Sequence, residues 1–402
     1  MAAKLENIPD RLVKAYAQLE IDILADMARR IARIPLYIPT TEFQHEKLVT
    51  MGLLYDEIVL RLAAMLKTTT AEIEKIIFES GAAALADDIS IYSKAAEEFV
   101  ENAERARARP NRARMEAIKE HIRKVFEGTG AVAFSAESKA FADILEEGIR
   151  KTNGFFENLT STTANTATRQ FERVLDRAYM QVTSGAFSGQ AATERAIKDL
   201  AAKGIESVPY PSGHVDTMEV AVRRAVVTGT NQTSLHLKEQ LADELGLNLV
   251  EVSAHAGARP SHAVWQGRIY SREGGTKEYP NLVDATGYGT GAGLGGWNCN
   301  HTMSPYYEGM PRAYTLEMLE EYQNAAVEVD GQKLNRYDAN QRMREIERHV
   351  RRWKREAKAL EAGGASQESI AKAKAKAREW QKAWKEYSEK TGIKPQSDRI
   401  KI

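Results

Sequence analysis

Residues 253–309 read SAHAGARPSHAVWQGRIYSREGGTKEYPNLVDATGYGTGAGLGGWNCNHTMSPYYEG. The stretch holds three of the eight histidines, the only cysteine, two of the five tryptophans and a dense run of glycines. On either side the text is Ala, Glu, Lys and Arg at helical spacing. The expected fold is therefore mainly α: a long helical N-terminal region over residues 1–245, a small Gly-rich α+β insert over 246–312, and a charged helical C-terminal arm over 313–402.

Within the insert, LNLVEVSAH alternates as a strand does, which nominates Leu247, Leu249 and Val252 as buried positions. Arg259-Pro260 reads as a turn that leads through Trp265-Gln266-Gly267 into a second strand, GRIY. The expected small core is Trp265, Ile269, Tyr270, Leu294 and Trp297, with Trp265 as its anchor. GYGTGAGLGG lacks the Lys-Ser/Thr ending of a phosphate loop, and no β-α-β unit surrounds it. It reads instead as a loop in which glycine permits positive φ and close backbone contact.

His255, His262, Cys299 and His301 carry the chemistry of the insert. All are zinc-type ligands, and four of them could close a tetrahedral site. The spacing matches no strong zinc pattern, and Cys299 and His301 are expected to need a turn if both are to face one point. The plainer assignment is a polar network that hydrogen-bonds loop carbonyls, with no cofactor. Structural zinc is the alternative. Cys299 as a nucleophile would need a partner within reach and a third orienting group. In either case the order strand, loop, strand should bring the four side chains close together.

Outward from the insert, helices are expected over 8–34, 41–67, from Thr69, over 81–100, 112–127, 135–154, 155–184, 188–203 and 215–245. Pro9 suits a first turn, and Pro35 and Pro39 end the first helix. LTSTTANTATRQ is rich in threonine, a modest helix former, and needs packing to hold it helical. VPYPSGH reads as a loop. After the insert, helices are expected over 315–328, 335–361 and 366–390, with a tight turn at VDGQ and an extended tail. In the last helix Lys372, Lys374, Lys376 and Arg378 could meet DNA phosphates, or could form a solvated face with i,i+4 ion pairs. Trp380 and Trp384 lie one turn apart and should rest on a partner surface or on a neighbouring helix.

The 402 residues balance 56 basic against 56 acidic side chains. A neutral total argues against a general polyanion binder and leaves room only for weak, non-specific DNA contact. One cysteine rules out an intrachain disulfide and suits a reducing compartment. No secretory signal and no long apolar run stand out, so no membrane association is expected when the chain is made.

The motifs HAGARPSHAVWQGRIY, YPNLVDATGYGTGAGLGGWNCNH and SPYYEGM closely resemble the phage minor capsid protein 2 group. They are similar, more distantly, to the Mu-F-like head-morphogenesis proteins of tailed phages. The shared order is an R-P-S/T-H turn, here Arg259–His262, a W/L-x-G-x-I/V/F-Y/F strand, here Trp265–Tyr270, and an N-C-x-H/C element, here Asn298–His301. Arg259, Pro260, Trp265, Gly267, Tyr270, Trp297 and Asn298 form the motif core. Where the Mu-F-like pattern ends in a second cysteine, this chain has His301.

The resemblance implies a virion protein of few copies. Such a protein would be made in the host cytoplasm and associated with the portal or the inner face of the head. Its partners would be the portal protein, the major capsid protein or packaged DNA, and it would have no demonstrated catalysis. The rival is a metal-assisted hydrolase centred on His255, His262 and His301. That rival needs nearby carboxylates, for which Glu251, Glu273, Glu278 and Asp284 are available.

Overall fold

Tyr16, Leu19, Ile23, Met27 and Ile31, spaced by three and four, are all buried on one face of helix α1 (Asp10–Arg33). The computed structural model describes residues 10–105, 139–244 and 246–402. The helix expected over 112–127, the first residues of the 135–154 stretch and the positions Ile8 and Pro9 lie outside them. Pro35 and Pro39 end α1, and helix α2 (Thr40–Arg105) then runs as one unbroken helix. No new helix begins at Thr69. The Thr69 and Thr70 hydroxyls donate back to the Met65 and Leu66 carbonyls at 2.8 and 3.1 Å, the bonding of mid-helix threonines rather than of a cap. Thr69 is also held by the Tyr16 hydroxyl at 3.1 Å.

Helix α3 (Lys139–Thr183) joins the stretches expected over 135–154 and 155–184 into one. Two of its threonines are held from outside the helix. Thr163 is buried, and the Thr166 hydroxyl donates to the Glu206 carbonyl at 2.8 Å. Helix α4 (Gly189–Lys203) starts where Ser188 accepts from the Ala191 amide and stops at Gly204. The expected VPYPSGH loop is instead the turn of a hairpin between β1 (Glu206–Pro209) and β2 (Val215–Thr217), where Tyr210 donates to Asp216 at 2.9 Å. Helix α5 (Met218–Glu244) follows.

The insert contains β3 (Leu249–Val252), a single turn α6 (Pro260–Ala263), β4 (Ile269–Ser271), the short α7 (Leu282–Thr286) and β5 (Met303–Tyr306). The strands form an antiparallel sheet of order β4-β3-β5, with Val250 facing Tyr270 on one side and Pro305 on the other. The expected alternation fails. Val250, Glu251 and Val252 are all buried, whereas Leu247 and Leu249 are half-buried, because the central strand is covered on both faces.

Helix α8 (Leu316–Asn324) ends at Asn324 rather than 328. The residues after it form β6 (Ala326–Val329), which pairs with β7 (Gln332–Asn335). The expected turn lies between them: Asp330 and Gly331 both have left-handed φ, 51° and 78°. Helices α9 (Arg336–Ala362) and α10 (Gln367–Thr391) follow, and the tail carries a 3₁₀ turn at Ser397–Ile400 in place of fully extended chain. Among the described residues no helix is long and apolar enough to cross a membrane.

The described residues fall into two compact units. One comprises Ala71–Asn153 and Arg224–Ala325, and the other Asp10–Thr70, Gly154–Arg223 and Ala326–Ile402. The first has a core of Leu235, Val250, Val252, Trp265, Tyr270, Leu282, Leu294, Cys299 and Met303. In the second, Ala339, Met343, Ile346 and Val350 of α9 pack with Trp384 and Tyr387 of α10. Trp384 is 6% exposed there, and Trp380 stacks on His349 with ring centroids 4.0 Å apart. Both tryptophans thus rest on a neighbouring helix of the same chain, and Trp384 is too buried there to meet a partner. Nearby, the buried Glu20 carboxylate accepts from the Ile205 amide at 2.8 Å and lies 3.7 Å from the Arg355 guanidinium.

Candidate functional site: the histidine–cysteine cluster of the insert

Arg259 precedes Pro260 and has the extended backbone that a following proline favours. Pro260 then opens α6, and this single turn places His262 inward, 1% exposed. Trp265 and Gln266 follow, both buried, with their amides bonded to the His262 carbonyl. Gly267 has φ +64°, and a Cβ there would come within 2.3 Å of Leu319. Chain reversal at Gly267 sends Ile269–Ser271 along β3, and the Tyr270 hydroxyl reaches back to the Trp265 carbonyl at 2.8 Å.

The glycine-rich segment closes over this platform. It holds its shape by close approach of its own backbone. A Cβ on Gly293 would lie 2.1 Å from the Gly287 oxygen, and one on Gly296 would lie 2.3 Å from the Gly291 oxygen. This is the contact loop expected from the sequence. Leu294 from this segment is fully buried in the core. Trp297 is not: it is 60% exposed, with its ring against Gly291. The expectation of a core position for Trp297 is thereby corrected, because Asn298 turns the chain with φ +53° and leaves the indole outside. Arg259 Nη2 donates to the carbonyls of Trp297 and Asn298 at 2.9 and 3.3 Å, so the first and last motif elements are tied together. Ile269 is half-buried.

Cys299 and His301 follow immediately, both buried, and lead into β5. Residues two apart on extended chain project to the same side, so no turn is needed to bring them together. His262 Nδ1 and His301 Nδ1 are 3.4 Å apart, and Cys299 Sγ lies 3.8 and 3.7 Å from them. His255 stands beside this triangle. Its ring stacks on His301 at 4.5 Å, while its own Nε2 is buried with no hydrogen-bond partner among the described residues. Trp265 packs edge-on against His301 at 4.8 Å.

The outer nitrogens are also held. His262 Nε2 bonds the Ala292 carbonyl at 2.9 Å, and His301 Nε2 bonds Gln266 Oε1 at 3.1 Å. Burial holds both imidazoles below the usual histidine range, and pushes His301 down to about 2 with help from the neighbouring histidines. Burial likewise pushes the Cys299 thiol up, against the trend of an activated nucleophile.

Two residues that no motif flagged complete the site. Asn231 Nδ2 of α5 donates to the carbonyls of Cys299 and His301 at 2.9 and 3.2 Å, and Gln232 donates to the Gly295 carbonyl at 3.1 Å. The one hint was the run Thr228-Gly229-Thr230-Asn231-Gln232-Thr233-Ser234, poor helix formers in the middle of a helix.

Among the described residues the cluster gathers no carboxylate: its members are His262, Cys299 and His301. Glu251 is occupied by the amides of Ala313 and Tyr314 at 2.9 and 3.3 Å. In the C-terminal arm, Lys374 pairs with Glu361, and Lys376 pairs with Glu379 at 2.7 Å, as a solvated helix face would.

Comparison with known proteins gives a consistent answer. The family described as phage minor capsid protein 2 matches residues 2–129 and 111–389. A curated relative, "Structural protein" of Lactococcus phage LL-H, is 29% identical over 220 residues, or 53% of this chain. The match spans about half of that relative, 56% of its length. No solved structure matches. With nearly its whole length matched, and with the R-P-S-H and N-C-x-H elements joined through buried His262, Cys299 and His301, the chain belongs to the phage minor capsid protein 2 family.

Proposed function

We propose that the protein is a minor structural component of a phage head, made in the host cytoplasm and held in the virion at the portal vertex or the inner head surface. The family match across residues 2–129 and 111–389 carries this reading. Its partners are then the portal protein or the major capsid protein, its docking surfaces are the helical regions, and it performs no catalysis. The hydrolase alternative finds no support, since its histidines meet a thiol rather than carboxylates.

One surface suits such docking. On α2, Val49, Leu53 and Leu60 share a face and are 48, 59 and 66% exposed. Clustered exposed apolar side chains mark interaction sites on soluble proteins. DNA contact through Lys372 and Arg378 would be a minor, salt-sensitive addition.

The test is co-expression with the portal protein and, separately, with the major capsid protein of the same phage. Co-purification with one of them is expected, and Leu53→Asp with Leu60→Asp should abolish it while leaving the melting curve in place. Purified virions that lack the chain by mass spectrometry would end the reading.

A further inference from the structure

We propose that His262 Nδ1, His301 Nδ1 and Cys299 Sγ bind a zinc ion, which ties the R-P-S-H turn to the N-C-x-H segment. The tautomers carry the argument. A backbone carbonyl can only accept, so the bond from His262 Nε2 to the Ala292 oxygen fixes the proton of that ring on Nε2. Gln266 Oε1 accepts from the His255 amide at 3.1 Å, which fixes the orientation of the Gln266 amide. The bond from His301 Nε2 to the same oxygen then fixes the second proton on Nε2 as well. Both Nδ1 atoms therefore present lone pairs inward, 3.4 Å apart and buried. The single thiol proton of Cys299 can answer only one of them. A cation answers both.

The dimensions fit. With Zn–N near 2.0–2.1 Å and Zn–S near 2.3 Å, tetrahedral angles set N···N at about 3.3 Å and N···S at about 3.6 Å. The observed separations are 3.4, 3.7 and 3.8 Å. Two imidazoles and a thiolate select zinc over the hard cations, and no carboxylate of the described residues stands in the triangle. Carbonyl oxygens on the outer nitrogens are the support that metal-bound imidazoles use. Asn231 in turn pins the backbone of both Cys299 and His301 to α5. On binding, the thiol loses its proton to solvent and the sulfur coordinates as thiolate.

The experiment uses the full-length chain, purified without a polyhistidine tag. Elemental analysis should find about one zinc per chain. Cobalt substitution should give the visible bands of a tetrahedral ion and a sulfur-to-cobalt charge-transfer band. Cys299→Ser should lose the charge-transfer band, and His45→Ala, far from the cluster in sequence and exposed, should change nothing. Should Cys299→Ser fail to fold, chelated wild-type protein decides the matter: zinc, and not magnesium, should restore the lost melting temperature. Metal well below stoichiometry, with a melting curve unmoved by chelator and by added zinc, would overturn the proposal and leave the cluster a polar network.

Discussion

Arg259 donates a hydrogen bond to the main-chain oxygen of Asn298, a residue held at φ +53°. The same nitrogen reaches the Trp297 oxygen, so one guanidinium braces a left-handed turn directly before Cys299. Arg259→Ala should cost about 1.5–3 kcal/mol in chemical denaturation, as charged hydrogen bonds do. Arg259→Lys should restore part of it, since both bonds come from one nitrogen and an ammonium also carries several donors on one nitrogen. An unchanged midpoint in both variants would show that the turn holds itself.

Trp265 is 5% exposed and touches both His262 and His301. Trp265→Ala should destabilise the chain by about 3–5 kcal/mol, combining lost burial with a cavity. A melting curve identical to wild type would remove Trp265 from the core.

The Glu20–Arg355 pair makes a pH prediction. Burial pushes the Glu20 carboxyl above its ordinary 4.5, and Arg355 opposes this only in part. A carboxyl raised in the folded state stabilises the fold most below its unfolded value, and that stability is lost as pH climbs through the folded value. Glu20→Gln should therefore flatten the decline of stability above pH 4.5. Arg355→Ala should cost about 3–5 kcal/mol at neutral pH, because it strands a buried charge. A pH profile of Glu20→Gln that overlays wild type would refute the assignment.

Removal of residues 366–402 is a poor probe of DNA contact, because it strips Trp384 and Tyr387 from the face of α9. Charge reversal is cleaner. Arg378→Glu should leave the melting temperature unchanged and weaken binding to duplex DNA, with a shallower salt dependence. Equal binding by wild type and variant would place any DNA contact elsewhere.

Much of this architecture is legible in the text. Ser188 and Gly204 bracket α4, and the apolar period of α1 survives intact. Misreadings came where one residue type serves two roles. The threonines at 68–70 look like a cap and act as mid-helix donors. The prolines and glycine of VPYPSGH mark a turn, but strands as short as β1 and β2 leave no period to count. At the cluster, the four motif side chains were identifiable by type, and their meeting followed from the strand order. Asn231 and Gln232 were not, since an amide far off in sequence carries no spacing signal, and Gln266 sat in the motif with nothing to mark its role.

The glycine loop has a consequence for how this protein can vary. Gly293 and Gly296 sit against main chain, where no neighbouring side chain can yield to an added methyl group. Under selection for particle yield in a saturation library, these two codons should stay fixed. Gly289, whose missing methyl faces open space, should tolerate asparagine, which adopts left-handed backbone readily. Ala292, exposed and contributing only its carbonyl to His262, should drift almost freely. A lineage could thus recolour the outside of this loop while its inner contour remains frozen.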